Sequence, residues 1–261
     1  MDDTPLVSIL MNCFNGERYL NEAIDSIYAQ TYQNWEVVFW DNASTDRSAS
    51  IAKGYDKRIK YYLAPETTPL GEARNLALEK SDGQYIAFLD CDDIYLPDKL
   101  EQQVNLMQSK DYAMCYGSVV IIDENGNLIK KNFVKNKSGN VFSSLLRRYE
   151  INMQTVMLKR GFVISNHLSF NTSMSYCPDY NLFMTIASKA DVGVIIDVIA
   201  KYRIVSNSLS KKTINIAGSE VKFTLDELLE NSPILQKNFP KGFVHAYAKA
   251  RYYEMIKNIV D

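Results

Sequence analysis

Short apolar runs and amphipathic helical patterns alternate through the first 110 residues of the chain. Residues 6–11 and 35–40 are apolar-rich and of strand length, and the segment between them carries apolar residues on one face at helical spacing. The alternation repeats with predicted strands at 59–63 and 85–89 around a predicted helix at 70–80. Strands that alternate with helices in this way predict a mostly parallel sheet covered on both faces. In such sheets ligands bind beyond the carboxyl ends of the strands.

The second half of the chain predicts a hairpin, further strands and a helical end. The hairpin turn is centred on Asn125-Gly126, and from Ala217 onward the pattern is helical, with breaks at Pro233 and Pro240. We therefore predict one domain over residues 1–212 and a helical C-terminal extension over 213–261. Within the domain, 1–110 and 111–212 form its two halves. The predicted strands of the second half are 113–122, 128–134, 153–158 and 192–196, with a helix at 180–188.

Composition narrows the classes of function. The 261 residues carry a net charge of −2, so no general basic field exists to bind nucleic acid. The four cysteines are scattered and only two histidines are present, which argues against a structural zinc site and is typical of a reducing compartment. The acidic N-terminus is unlike a signal peptide, and no apolar stretch approaches the length of a membrane helix.

Three carboxylates follow the fourth predicted strand within four residues. Asp90, Asp92 and Asp93 come directly after the apolar run at 85–89. Close anions repel one another, so such a cluster favours a bound cation, and hard oxygen ligands suit Mg²⁺ or Mn²⁺. A solvated acidic turn that caps the next helix is the alternative. In the loop after the second predicted strand, Ser44 or Thr45 is a candidate cap for a short helix that reaches Tyr55.

Five segments in order resemble the inverting family 2 glycosyltransferases with the GT-A fold. The sequence LDCDD at 89–93 resembles the D-x-D motif of that family, and GEARNLALEKSDGQYIAF resembles the run that leads into it. One D-x-D alone is weak evidence, whereas five ordered segments between residues 6 and 210 cover most of the chain. The other four segments are LVSILMNCFN, WEVVFWDNASTD, CPDYNLFMTIA and YRIVSNSLS.

The resemblance implies a fold and an activity. The expected fold is α/β, a mostly parallel GT-A sheet flanked by helices, with a Rossmann-like nucleotide-binding half and an acceptor half. The expected activity is metal-dependent inverting transfer from a nucleoside-diphosphate sugar to a glycan or a lipid-linked acceptor, for a bacterial-type surface glycan. The expected location is the cytoplasm, with the inner face of the membrane as an open alternative.

The family motifs also imply roles for four aspartates. Asp92 is the expected direct metal ligand, and Asp90 is expected to reach the metal through water or to bind the ribose. Asp93 is expected to support the cluster or to cap a helix. Asp179 matches the general base of the family, although Pro178 stands where the family has a glutamate. Capping of the helix that follows is the alternative role for Asp179.

The nucleotide is expected across the first strand ends, at Asn12, Phe14, Asp41, Asn42 and Arg74. Phe14 matches a position that stacks on the base, with core packing as its alternative. The family has a second aspartate where this chain has Asn42, whose amide oxygen is still able to accept the N3–H of uracil. Thymine offers the same N3–H, so UDP-sugar is the first expectation and dTDP-sugar stays open. Arg74 is expected at the donor phosphates, with a surface salt bridge as its alternative.

Three further features are departures from the family or leave the role of a residue open. Val205 stands near a position where many relatives carry a metal-binding histidine, so the metal site is expected to be looser. His167 is expected to be an exposed loop residue or to touch the acceptor. The aromatic and basic tail is expected either to pack on the domain or to meet a membrane surface. The tail residues are Phe243, Tyr247, Tyr252, Tyr253, Lys249, Arg251 and Lys257.

Three rival functions compete with sugar transfer. A sugar nucleotidyltransferase needs an early glycine-rich basic loop for a triphosphate, and residues 12–17 hold one glycine and no lysine. The same loop lacks the G-x-G-x-x-G pattern of a dinucleotide-binding oxidoreductase. A non-catalytic glycosyltransferase-like module that binds carbohydrate or a partner stays open. Retention of Asp90, Asp92 and Asp179 favours catalysis.

Overall fold

Four strands of the N-terminal half pair in parallel, in the order β3-β2-β1-β4. The computed structural model describes residues 4–206 and 216–260. The alternation predicted from the sequence is confirmed, with element ends within a few residues of those expected. The elements are β1 (Val7–Cys13), α1 (Glu17–Tyr28), β2 (Trp35–Asp41), α2 (Ser48–Lys53), β3 (Ile59–Leu63), α3 (Leu70–Glu79) and β4 (Tyr85–Phe88).

Strand β1 lies in the middle of this group and is buried on both faces. Ile9 and Met11 pack on the α1 side of the sheet, whereas Leu10 packs on the side of α3. A strand that is covered on both faces needs apolar residues at consecutive positions, which explains the continuous apolar runs. The shared direction of the strands brings Asn12 on β1 and Asp90 after β4 to the same edge of the sheet.

The second half extends the sheet with antiparallel and parallel strands. Strand β8 is antiparallel to both β4 and β6, whereas β6 and β9 are parallel, so the whole sheet is mixed. The order along the sheet is β3-β2-β1-β4-β8-β6-β9-β5, with β7 paired to β6. These elements are β5 (Ile94–Tyr95), α4 (Lys99–Ser109), β6 (Met114–Ile122), β7 (Leu128–Asn132), α5 (Phe142–Arg147), β8 (Met157–Lys159), α6 (Arg160–Ser165), α7 (Pro178–Lys189) and β9 (Val192–Arg203).

Two local predictions are wrong, each because a side chain bonds to nearby backbone. The segment predicted as one strand at 153–158 begins as a 3₁₀ turn over Met153–Thr155, where the hydroxyl of Thr155 donates to the carbonyl of Asn152 at 2.7 Å. The predicted caps Ser44 and Thr45 lie outside α2. Helix α2 begins at Ser48, whose N–H donates to a carboxylate oxygen of Asp46 at 2.9 Å.

The predicted hairpin turn is confirmed between β6 and β7. Gly126 has a φ of +85°, which a residue with a side chain rarely adopts. One carboxylate oxygen of Asp123 accepts the N–H groups of Asn125 and Asn127 at 2.9 and 2.8 Å. This short turn leaves β7 as an exposed edge strand.

The C-terminal helices pack against the second half of the sheet. They are α8 (Ala217–Asn231), α9 (Ile234–Asn238) and α10 (Pro240–Val260), with the breaks at the two predicted prolines. Phe243 is buried, and its ring centroid lies 6.1 Å from that of Phe142 on α5. This end of the tail therefore packs on the domain, whereas Tyr252 is exposed. The proposed domain boundary near residue 212 lies outside the described residues and stays a prediction.

No helix within the described ranges is both long enough and apolar enough to cross a lipid bilayer.

Helix α4 carries a buried lysine. The side chain of Lys99 is inaccessible to solvent, its ammonium donates to the amide oxygen of Gln103, and it lies 4.0 Å from the ring centre of Tyr95. Burial lowers the pKa of Lys99 to about 7. The same lysine titrates near pH 10.4 in an unfolded chain.

The unfolded state therefore binds one more proton than the native state between about pH 7 and 10, so native stability rises with pH in this window. Relative to Lys99→Met, we expect the unfolding free energy of the wild type to rise by roughly 1 kcal/mol per pH unit. Urea unfolding of both proteins at pH 7.0 and 8.5 measures the difference. Parallel changes in the two proteins would show that Lys99 is charged in the native state.

Candidate active site

A single cavity of about 940 Å³ joins the two halves of the domain. It opens at the carboxyl ends of β1 and β4 and is closed on the other side by α5, α7, α8 and α10. Most of the residues predicted for the site lie on its wall. Those residues are Asn12, Phe14, Arg74, Asp90, Asp92 and Asp179.

The three carboxylates after β4 separate into two groups. Asp90 and Asp92 line the cavity, whereas Asp93 turns inward and is 1% exposed. A carboxylate oxygen of Asp93 accepts the backbone N–H of Arg203 at 2.8 Å, which ties this loop to the end of β9. Helix capping by Asp93 is wrong, since α4 begins only at Lys99. Burial, and then repulsion from Asp90, raises the pKa of Asp92 to about 6.

Asp90 and Asp92 fit a divalent cation that takes most of its ligands from water and from a bound phosphate. Among the described residues, no three histidine, cysteine or acidic side chains converge as a ready metal cage. Val205 lines the cavity and offers no ligand atom, while His167 and His245 are both exposed outside it. Two hard carboxylates in a half-buried setting suit Mg²⁺ or Mn²⁺ with water and phosphate oxygens as the other ligands.

Arg74 on α3 is buried beside this pair. It is 6% exposed, and a guanidinium nitrogen lies 3.5 Å from a carboxylate oxygen of Asp90. The alternative of a surface salt bridge is therefore wrong, because the pair forms inside the cavity wall. The guanidinium also lies 5.5 Å from the ring centre of Phe170. Its remaining N–H groups can bind an anion in the cavity.

Asp179 lies in the first turn of α7 and lines the same cavity as Asp90 and Asp92. The N-cap position of α7 is Cys177, and the carboxylate of Asp179 interacts with the first-turn N–H groups of Asp179 and Tyr180, so a role at the helix start is compatible with a role as base. Burial raises the pKa of Asp179; the positive charge of Arg74 opposes this rise, and the negative charge of Asp90 adds to it. A carboxylate with a raised pKa is a stronger base than an exposed one.

Glu220 on α8 holds the loop that leads to Asp179. Its two carboxylate oxygens accept the backbone N–H groups of Ser175 at 2.7 Å, Tyr176 at 3.0 and 3.2 Å, and Cys177 at 2.8 Å. These three donors precede α7 and have no partner within that helix. The C-terminal extension therefore fixes the start of the helix that carries Asp179.

Phe14 and Asn12 also line the cavity. Phe14 is 56% exposed, so core packing is wrong and its ring is free to stack on a ligand. The amide nitrogen of Asn12 is buried and has no hydrogen-bond partner within the protein. A buried donor without a partner is costly, which favours a ligand oxygen at this position.

Asp41 and Asn42 lie outside the cavity wall. Asp41 is buried and accepts the hydroxyl of Tyr61 at 2.6 Å and the N–H of Ser44 at 2.7 Å. The amide oxygen of Asn42 accepts the N–H and the hydroxyl of Thr68, each at 3.1 Å, and its nitrogen donates to the carbonyl of Thr68 at 2.8 Å. Both side chains are engaged with protein groups here, so their contact with a nucleotide stays a prediction.

Several cavity residues were not identified from the sequence as site residues. Arg203 ends β9, where its guanidinium donates to the carbonyl of Asp92 at 2.9 Å and pairs with Glu22. The Y-R segment marks Arg203 without implying a role for it. Tyr149, Gln154 and Lys249 also line the cavity. The aromatic and basic tail pattern includes Lys249, whereas no sequence pattern marks Tyr149 or Gln154.

The sequence and the fold were compared with known proteins. The model of "Glycosyl transferase family 2" matches residues 8–175. An uncharacterized glycosyltransferase of Haemophilus influenzae is 39% identical over 60% of this chain and 63% of its own length. The Escherichia coli UDP-Glc:alpha-D-GlcNAc-diphosphoundecaprenol beta-1,3-glucosyltransferase WfgD is 34% identical over 80% of this chain and 81% of its own. The match thus spans less than two thirds of the first relative.

Solved structures share the fold at low sequence identity. S. aureus TarS 1-349 in complex with UDP-GlcNAc has a TM-score of 0.71 at 18% identity, over 85% of this chain and 66% of that one. The mannosyltransferase PcManGT from Pyrobaculum calidifontis, in complex with GDP-Man and Mn2+, has a TM-score of 0.69 at 18% identity, over 98% and 73%. The expected fold, a curled α/β sheet flanked by helices as in GT-A glycosyltransferases, is confirmed.

Replacement of Glu220 tests the link between α8 and the start of α7. Glu220→Gln removes the charge and one of the two acceptor oxygens, so we expect the unfolding free energy to fall by about 1–3 kcal/mol. Urea unfolding measures the change. Glu230→Gln is the matched control, because Glu230 is an exposed residue on the same helix. Equal stability of the two variants would contradict the anchoring role of Glu220.

Proposed function

Because the chain belongs to glycosyl transferase family 2, we propose that it transfers a sugar from a nucleoside-diphosphate donor to a hydroxyl group of a glycan or lipid-linked acceptor. The observation that carries the proposal is the shared cavity wall, which contains Asp90, Asp92 and Arg74 together with Asp179. The first three suit a metal-bound diphosphate, and Asp179 suits an acceptor hydroxyl. The cavity volume is within the range of small-molecule sites.

A uridine donor is the form we propose, with dTDP as the alternative. The relative WfgD is named for UDP-Glc, and the related TarS structure holds UDP-GlcNAc. Phe14 would stack on the base, and the unpartnered amide of Asn12 would donate to an oxygen of the nucleotide. Asn42 would bind the base only after releasing Thr68, because Thr68 occupies both ends of its amide.

The leaving diphosphate gains negative charge as the anomeric bond breaks. Arg74 would meet part of this charge, since its guanidinium already faces the cavity beside Asp90. Asp90 and Asp92 would hold Mg²⁺ or Mn²⁺, which supplies Lewis-acid stabilisation of the diphosphate when bound. The PcManGT structure, which contains Mn2+, supports this choice of ions.

Asp179 would act as the general base. It accepts the proton of the acceptor hydroxyl as that oxygen forms a bond to the anomeric carbon, and the bond from this carbon to the diphosphate breaks. One displacement of this kind inverts the configuration at the anomeric carbon. Its raised pKa favours this proton transfer near neutral pH. Glu220 supports the step by fixing the loop before α7.

Removal of the base tests the catalytic role of Asp179. We expect Asp179→Asn to lower the turnover by about 10²–10⁴-fold, because the amide is unable to take the proton. The dissociation constant of UDP should change little, since the groups proposed to hold the nucleotide are Phe14, Asn12 and Arg74. Release of UDP from UDP-glucose, with a GlcNAc diphosphate lipid as acceptor, measures turnover. Asp197→Asn, at an exposed position on β9, is the control. An equal loss of UDP affinity in Asp179→Asn would contradict the assignment.

Titration calorimetry tests the donor site and its metal. UDP, dTDP, GDP and CMP are titrated with and without Mn²⁺, and we expect Mn²⁺ to strengthen the binding of one diphosphate. Asp92→Ala should abolish this dependence on Mn²⁺, because only one cavity carboxylate of the pair remains. Unchanged dependence would place the metal elsewhere. If the wild type bound no nucleotide under either condition, the catalytic proposal would give way to a non-catalytic binding module.

A further inference from the structure

The cavity wall contains two buried donors without a partner besides the amide of Asn12. The hydroxyl of Tyr149 and the amide nitrogen of Gln154 are both inaccessible to solvent and have no hydrogen-bond partner in the protein. Both residues line the cavity. Gln154 as a whole is only 2% exposed. Since buried polar groups are normally paired, two such groups on one cavity wall indicate a ligand with acceptor oxygens.

Both residues are held in place by the fold. Gln154 lies in the 3₁₀ turn Met153–Thr155, directly before β8, which pairs with β4. The ring of Tyr149 packs edge-on against that of Tyr180, with ring centroids 4.8 Å apart. Tyr180 follows Asp179 in the first turn of α7, so Tyr149 stands next to the base. Burial, and then the charge of Asp179, raises the pKa of Tyr149, so its hydroxyl keeps its proton.

Much of the cavity wall is apolar and aromatic. Side chains of α5, of residues 151–153 and of residues 176–180 contribute to it, and they are suited to the C–H faces of a sugar ring. Few polar groups in a mainly apolar wall are typical of sites that fix the orientation of a small ligand. The wall residues used here are Leu145, Ile151, Met153, Tyr176 and Tyr180.

We propose that the part of the cavity wall formed by Tyr149 and Gln154 is the subsite for the acceptor sugar, in which the hydroxyl of Tyr149 and the amide of Gln154 each donate a hydrogen bond to an oxygen atom of the sugar. The assignment rests on the proposed transfer function. It makes Tyr149 and Gln154 the residues that orient the attacking hydroxyl toward Asp179. Loss of either donor leaves a sugar oxygen unpaired in a buried site, which weakens the acceptor and leaves the nucleotide unaffected.

Two near-isosteric variants test the proposal. Tyr149→Phe and Gln154→Met each remove a donor that has no partner within the protein, so each should fold with an unchanged or higher Tm. Each should raise the KM for the acceptor by about tenfold, because the loss of one neutral hydrogen bond weakens binding by about that factor. The Kd of UDP should stay the same. A structural role would instead lower Tm and leave the acceptor KM unchanged.

Tyr116→Phe provides the matched control. The hydroxyl of Tyr116 is hydrogen-bonded to Glu150 at 3.1 Å and to Asn136 at 3.0 Å, and Tyr116 lies in the core outside the cavity. This variant should lose stability and keep the acceptor KM. The three variants therefore separate recognition of the acceptor from support of the fold, because the expected changes in Tm and KM are opposite.

Direct binding is measured by saturation-transfer NMR on the wild type with UDP and Mn²⁺ present. The probes are the methyl glycosides of glucose, galactose, N-acetylglucosamine and rhamnose. Transfer from the protein to at least one sugar, lost in both variants, supports the subsite. Nucleotide binding without transfer to any probe would overturn the subsite and leave the proposed function standing. Failure of nucleotide binding itself would overturn the proposed function. Unchanged acceptor KM in both variants would show that water alone satisfies the two donors.

Discussion

The parallel pairing of β1 with β2 and β4 is the constraint on which the site depends. Every residue of β2 and most of β1 are buried, so these strands are fixed from both faces by α1 and α3. The register that pairs Leu10 with Phe88 brings Asn12 close to Asp90. Two segments almost 80 residues apart thereby meet at one edge of the sheet. The side chains of Asn12 and Asp90 are held there by the buried strands that precede them.

The second half of the chain provides the opposite wall through long-range contacts. Arg203 at the end of β9 bonds to the carbonyl of Asp92 and accounts for the inward turn of Asp93. Glu220 then fixes the loop before α7, although it lies in the C-terminal extension. The extension is thus part of the support of the site, and its buried end at Phe243 belongs to the same apolar cluster as α5 and α7.

The cavity wall combines two kinds of polar group. Asp90, Asp92 and the guanidinium of Arg74 suit a metal-bound diphosphate. The wall also contains the unpartnered donors of Tyr149 and Gln154 among apolar and aromatic side chains. These two kinds of group match two different reactants, a nucleotide and an acceptor.

The sequence by itself determined the alternating strands and helices, the carboxylates after β4 and the position of Asp179. These features are local: burial of one face sets the periodicity, and short motifs keep their spacing along the chain. The tertiary structure decided which polar groups are free. Thr68 engages Asn42, and Arg203 turns Asp93 inward. Tyr149, Gln154 and Glu220 gained their roles in the same way, since a hydrogen-bond partner distant in sequence is chosen by packing, which periodicity does not encode.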